Sequence, residues 1–276
     1  MERRTRVYPA ERRGSAWMSI AFLGMAALLI ATGLVWRDRG SELTVEPLLY
    51  ATPVPLEERF DETPAKREMV LPAFEWHALQ LGAFENEAAA KEQAEQFAMR
   101  GAAGYVWHDG RYRVLAAVYP LKEDAQRVRE RLQVRHEIDS YLYQIKLPEI
   151  HVRLSGMQGQ LDILQAALIH GTDLVNALQR MSVSMDRQEL NVDEAFAELA
   201  SLHDQISLVA LRLRQRFAAP RHAMADQLLG CLEQFDAFYA SLNRSMSQIT
   251  LGPRLKHQTF EMLSGLKKVY DTLSHT

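Results

Sequence analysis

Six residues between Trp76 and Arg113 carry the side chains best suited to chemistry: the rings of Trp76, Tyr105 and Trp107 and the polar groups of Gln80, Arg111 and Arg113. Aromatic rings offer flat faces for stacking, a primary amide both donates and accepts hydrogen bonds, and a guanidinium carries five N–H donors. Together they form a recognition set, and no catalytic constellation accompanies them. The only cysteine, Cys231, can form neither an internal disulfide nor a thiolate metal site. His151, His170, His203, His222, His257 and His275 show no HExxH or ExxH pairing. The nearest pairs, His222 with Asp226 and Asp271 with His275, read as solvated helix-face pairs. Without a glycine-rich phosphate loop or a nucleophile elbow, neither an enzyme nor a cofactor or metal site is expected.

The elements that must position this set come from a repeat. Phe84, Ala90 and Phe97 recur 35 residues later as Tyr119, Ala125 and Leu132, each half being a strand followed by a helix. Residues 76–81 alternate, Ala90, Ala94 and Phe97 follow at helical spacing, and Gly101 supplies a stop. Residues 103–107 read as a second strand, joined through a two-residue Asp109-Gly110 hairpin to a third over 111–116. Pro120 opens a second helix, with Ala125, Val128 and Leu132 on one face, and residues 141–145 close the unit as a fourth strand. The order βαββαβ gives a four-stranded antiparallel sheet of ferredoxin-like type, with both helices on one face and the other face open. Strand parity turns Leu79, Leu81, Val106, Val114 and Ala116 towards the helices. It leaves Trp76, Gln80, Tyr105, Trp107, Arg111 and Arg113 on the open side.

Over residues 75–147 the chain resembles a SPOR domain. Leu79-Gln80-Leu81-Gly82-Ala83-Phe84 is similar to the family's opening hxQxG(S/A)F stretch, and Tyr112-Arg113-Val114 to its YRV strand. The resemblance implies binding of peptidoglycan glycan stripped of stem peptides, material enriched at division septa, with Gln80 and Arg113 at positions where the family contacts glycan. Two places depart from the pattern: Ala83 stands where serine is frequent, and Ala117-Val118-Tyr119 stands for a Gly-Pro-Phe corner. Stacking of sugar faces on Trp107, Tyr105 and Trp76, with Gln80, Arg113 and Arg111 reaching hydroxyls, suits such a ligand. Two other readings of the face stay open: a protein-interaction surface, or rings that strand propensity alone would place there. The same strand order underlies RNA-binding modules, but residues 111–118 lack their paired-aromatic signature. A net charge of −3 over 276 residues gives no bulk attraction to nucleic acid either.

Around this unit the sequence divides into four further parts. Residues 1–14 form a basic tail and residues 15–36 an uncharged, apolar stretch flanked by Trp17 and Trp36. That stretch is long enough as a helix to cross a hydrocarbon layer of about 30 Å. Five arginines precede it, against Arg37 and Arg39 just after, so the expected topology is a single-pass anchor in the cytoplasmic membrane, N-terminus inside and the rest extracytoplasmic. A cleaved signal peptide is disfavoured by the length and by the absence of a small-x-small site. Residues 37–74, with five of the ten prolines and many carboxylates, read as an extended spacer. Residues 148–276 read as an antiparallel helical bundle or coiled coil with four apolar seams. The first seam begins at Leu154 and Met157, an Asn191/Glu194 capping pair opens the second, and Gly252-Pro253 precedes the fourth.

The fold class expected is therefore α+β and α: a transmembrane helix, a βαββαβ SPOR domain and a helical bundle. The function expected is an envelope protein recruited by denuded glycan to division or sporulation septa, with the bundle contacting a protein partner or a second copy. The alternative is a membrane-anchored interaction scaffold working through its bundle.

Overall fold

The computed structural model describes residues 63–218 and 222–274, all within one compact unit. Two strands that sequence patterning missed frame the expected module. Strand β1 (Pro64–Leu71) lies inside the stretch read as spacer, and β6 (Ile150–Met157) lies where the first helical seam was expected to begin. They pair antiparallel along their whole length, Pro64 opposite Met157 and Leu71 opposite Ile150. The reason is visible afterwards in the alternation of both segments, which buries Met69, Leu71 and Ile150 while Glu68 and Arg153 meet outside at 2.7 Å. Pro64 is tolerated because it is the first residue of its strand. Leu154 and Met157 also fit a helical step, so spacing alone pointed to the wrong period.

Between these strands run β2 (Phe74–Phe84), α1 (Glu87–Ala98), β3 (Tyr105–His108), β4 (Tyr112–Tyr119), α2 (Lys122–His136) and β5 (Tyr141–Leu147). The sheet order is β3-β4-β2-β5, every pair antiparallel. Residues in equivalent places of the 35-residue repeat occupy equivalent places in space. Ala90 and Ala125 are each fully buried under their helices, and Phe84 and Tyr119 end the strands that precede those helices. Parity sorts the sheet as expected on the helix side. Leu79, Leu81 and Ala116 pack beneath α2 with Ala125 and Leu132, while Val106 and Val114 pack beneath α1 with Ala90 and Ala94. The hairpin differs by one residue from expectation: His108 pairs with Tyr112, so the loop is Asp109-Gly110-Arg111, with Gly110 at φ 93°.

Four helices follow: α3 (Gln158–Asp186), α4 (Val192–Arg216), α5 (Ala223–Ala240) and α6 (Gln248–Ser274). Each packs on the next and α6 returns to α3, closing a four-helix ring. The capping pair is present: Asn191 accepts from the Glu194 backbone N–H at 3.0 Å and the Glu194 carboxylate accepts from the Asn191 N–H at 2.9 Å. Pro253 lies inside α6 rather than before it. At this depth its missing donor affects only the carbonyl one turn back, at Ile249, an exposed residue near the helix end.

Two parts of the expected fold class are corrected. No helix among the described residues is long and apolar enough to cross a membrane, and the expected span, residues 15–36, lies outside them. The second sheet face is also not open, because the helical ring packs against it. Tyr105 stacks on Phe260 of α6 with ring centroids 5.3 Å apart and 17° between planes, and meets the His257 ring at 5.1 Å. Trp76, Ala78, Trp107, Leu115, Val118, Ile145 and Leu147 share one continuous apolar core with the bundle. Polar bonds bracket the seam: Lys256 Nζ donates to the Gly101 carbonyl at 2.9 Å, and Tyr270 Oη donates to that of Pro72 at 2.9 Å. A parity rule says which face a residue takes; the α6 side of the seam is made by residues more than a hundred positions away.

Candidate functional site

The six residues expected to share an open face are divided by the bundle. Trp76, Tyr105 and Trp107 keep only 4%, 9% and 5% of their surface accessible, so their rings are core side chains. Burial pushes the Tyr105 hydroxyl up to about 12, with the Glu261 carboxylate adding to the effect. Arg111 lies in the hairpin loop, 3.6 Å from Glu85, away from the other polar residues. Of the polar three, Gln80 and Arg113 come together: Arg113 Nη1 donates to Gln80 Oε1 at 2.9 Å, joining the β2 and β4 strands, and the buried Trp107 lies opposite Arg113 on β3.

Two residues outside the expected set complete this cluster. Arg113 Nε donates to Asp109 Oδ1 at 2.8 Å, and its guanidinium lies 4.8 Å from the centre of the Tyr143 ring. Tyr143 Oη donates to the other Asp109 oxygen at 2.7 Å. Burial works against the charged carboxylate, but the bonds from Tyr143 and Arg113 outweigh it and hold Asp109 below the usual carboxylate range. Tyr143 is pushed up to about 12, first by burial and then by its bond to Asp109. The guanidinium is thus fixed on three sides by an amide, a carboxylate and a ring. Those two bonds engage two of the five N–H groups a guanidinium carries. The arrangement can present donors to a ligand with defined direction at little entropic cost, because its geometry is set in advance. Sequence marks Asp109 only as a turn residue, and Tyr143 only as part of a closing strand. Parity applied to β5 would have found Tyr143, since Leu142 beside it packs on the helix side.

A second cluster has the residue types of a catalytic relay. On the bundle, Asp236 Oδ1 lies 3.0 Å from His203 Nε2 and 2.9 Å from Ser207 Oγ, and the His203 ring stacks on Tyr239. A relay needs serine and carboxylate on opposite ring nitrogens. Here both gather at Nε2, which makes a bridge between α4 and α5. Among the described residues no group of three or more His, Cys, Asp or Glu side chains could hold a metal ion.

With the strand order, the helix-side parity and the Gln80–Arg113 pair in place, comparison with known families decides the module. Residues 77–144 match the SPOR domain. The SPOR domain is a peptidoglycan-binding, non-catalytic domain associated with septal localisation. The match ends one residue past Tyr143, so all four residues of the polar cluster fall inside the SPOR region, whereas β1, β6 and the helical ring fall outside it. Neither the curated proteins nor the solved structures gave a match to this chain.

Proposed function

We propose that this protein binds peptidoglycan glycan strands lacking stem peptides and is recruited by them to division or sporulation septa. The observation that carries the reading is the Gln80–Arg113–Asp109–Tyr143 cluster. It is the polar part of the sheet face left partly accessible beside the bundle, and it contains the two positions that the SPOR resemblance assigns to glycan contact. A held guanidinium and amide suit the hydroxyl and acetamido groups of such a strand. Attachment to the cytoplasmic membrane, with the N-terminus inside, belongs to the same proposal. It rests on the arginine-rich start and apolar stretch of residues 1–36.

Retention of the full chain on purified glycan strands with and without stem peptides tests the ligand. Retention on bare strands, lost in Arg113→Ala, is expected; no retention on either would sink the reading. Burial of Trp76, Tyr105 and Trp107 favours one second reading, a scaffold that has given up sugar affinity and works through its bundle, with a protein partner or a second copy. It predicts no retention on either material.

A further inference from the structure

The row of residues that crosses the sheet at Gln80 shows how much of the face a ligand can reach. Register places Tyr105 opposite Leu115, Leu115 opposite Gln80 and Gln80 opposite Tyr141, one residue from each of the four strands. Directly paired residues project from the same side of a sheet. Along this row Tyr105 is 9% exposed and Leu115 is fully buried, Gln80 is half-buried, and Tyr141 is 65% exposed. Leu79 and Leu142, the next pair, pack under α2, which confirms that Tyr141 projects on the bundle side rather than the helix side. The bundle therefore ends partway along the row, and an accessible ring stands at the free end beside the Gln80 amide.

The bundle is also a wall and not a lid. Lifting it would expose Trp76, Tyr105, Trp107, Leu115 and Ile145 together with Phe260, Leu263 and Leu266, all in one core. An interface of that size and apolarity does not open spontaneously. A cavity along it, lined by Phe74, Trp76, Leu147, Val175 and Leu266, is only about 10 Å³. What stays accessible spans β2 and β5 and the neighbouring Arg113, about 10 Å at the ~4.8 Å spacing of adjacent strands. That is the length of a disaccharide.

Resting on the glycan-binding reading above, we propose that the site takes a short glycan segment, with one sugar stacked on Tyr141 while Gln80 and Arg113 bind its polar substituents. The bundle, which covers Tyr105 and Leu115 on the same row, stops the strand from continuing across the sheet. A strand end satisfies this geometry, as does a bend; a straight strand lying over all four β-strands does not.

The test is isothermal titration of the full chain with the stem-peptide-free disaccharide, the tetrasaccharide and long denuded strands. Affinity per binding segment should level off by the tetrasaccharide. Tyr141→Ala should weaken binding by roughly tenfold, the loss expected of one stacking contact, whereas Tyr141→Phe, which keeps the ring, should bind as the parent does. Continued tightening with length, or unaltered binding by Tyr141→Ala with native circular dichroism, would overturn the inference while leaving glycan binding intact. Failure of the parent protein to bind glycan of any length would remove the reading on which it rests.

Discussion

The two parts of the bundle-side face of this sheet use similar residues to opposite ends. On β3 and the first half of β2, Tyr105, Trp107 and Trp76 are sealed in the core shared with the bundle; near the hairpin and the start of β5, Tyr143 and Tyr141 stand beside Gln80, Arg113 and Asp109. All five rings lie on the same side of the sheet. For Tyr105 and Tyr143 the difference is what lies against the ring: Phe260 lies flat on Tyr105, whereas the Arg113 guanidinium lies over Tyr143. A ring on an open-looking face is thus no indication of a binding site until its partner is known.

The largest effect should come from the dry part. Phe260 is fully buried, so Phe260→Ala should cost about 3–5 kcal/mol of stability in denaturant unfolding yet leave the glycan affinity of the folded fraction intact. A fall in affinity without loss of stability would erase the distinction between the two parts. Arg113→Ala should do the reverse, lowering glycan affinity by about tenfold or more while shifting stability by no more than ~1 kcal/mol, because its ion pair with Asp109 is partly solvated. Smaller still in its effect on binding is Tyr143→Phe, which removes one hydrogen bond to Asp109: it should weaken binding a few-fold, as Arg113 loses part of its support, at a stability cost of about 1 kcal/mol.

The two parts should also answer pH with opposite signs. His257 contacts the Ala103 carbonyl at 3.0 Å and faces Glu261, Arg254 and the Tyr105 ring. Its bond to Glu261 raises its pKa above the ordinary 6.5 against the opposing effect of burial. Its contribution is therefore complete below pH 6.5 and is lost as pH rises through the raised value. For Asp109 the pKa lies below the ordinary 3.8, so its contribution is complete above that value and is lost as pH falls through the lowered one. Unfolding free energies measured across pH should show the alkaline decline disappear in His257→Gln and the acid decline shrink in Asp109→Asn. The same profile in parent and variants would remove both assignments.

Much of the module could be read from sequence because its determinants are local. The 35-residue repeat places Ala90 and Ala125 under their helices, the alternation of β2 and β4 sorts their faces, and the Asn191 cap starts α4. The β1–β6 pair could not be read this way: positions 79 to 93 residues apart find each other through burial of Met69, Leu71 and Ile150 on the bundle. The site was half legible for the same reason. Gln80 and Arg113 are marked by motif and parity, but the loss of Trp76, Tyr105 and Trp107 to the core depends on the bundle. No periodicity in residues 75–147 encodes that contact.

The most direct test is a nuclear magnetic resonance titration of the full chain with the stem-peptide-free tetrasaccharide, following assigned backbone and side-chain signals. Saturable shifts at Gln80, Arg113, Tyr141 and Tyr143, with the Trp76 indole and the Tyr105 and Phe260 rings unmoved, are the predicted result. Shifts centred on Trp76, Tyr105 and Phe260 would show that sugar enters beneath the bundle and would contradict the division of this face into a sealed core and an exposed corner.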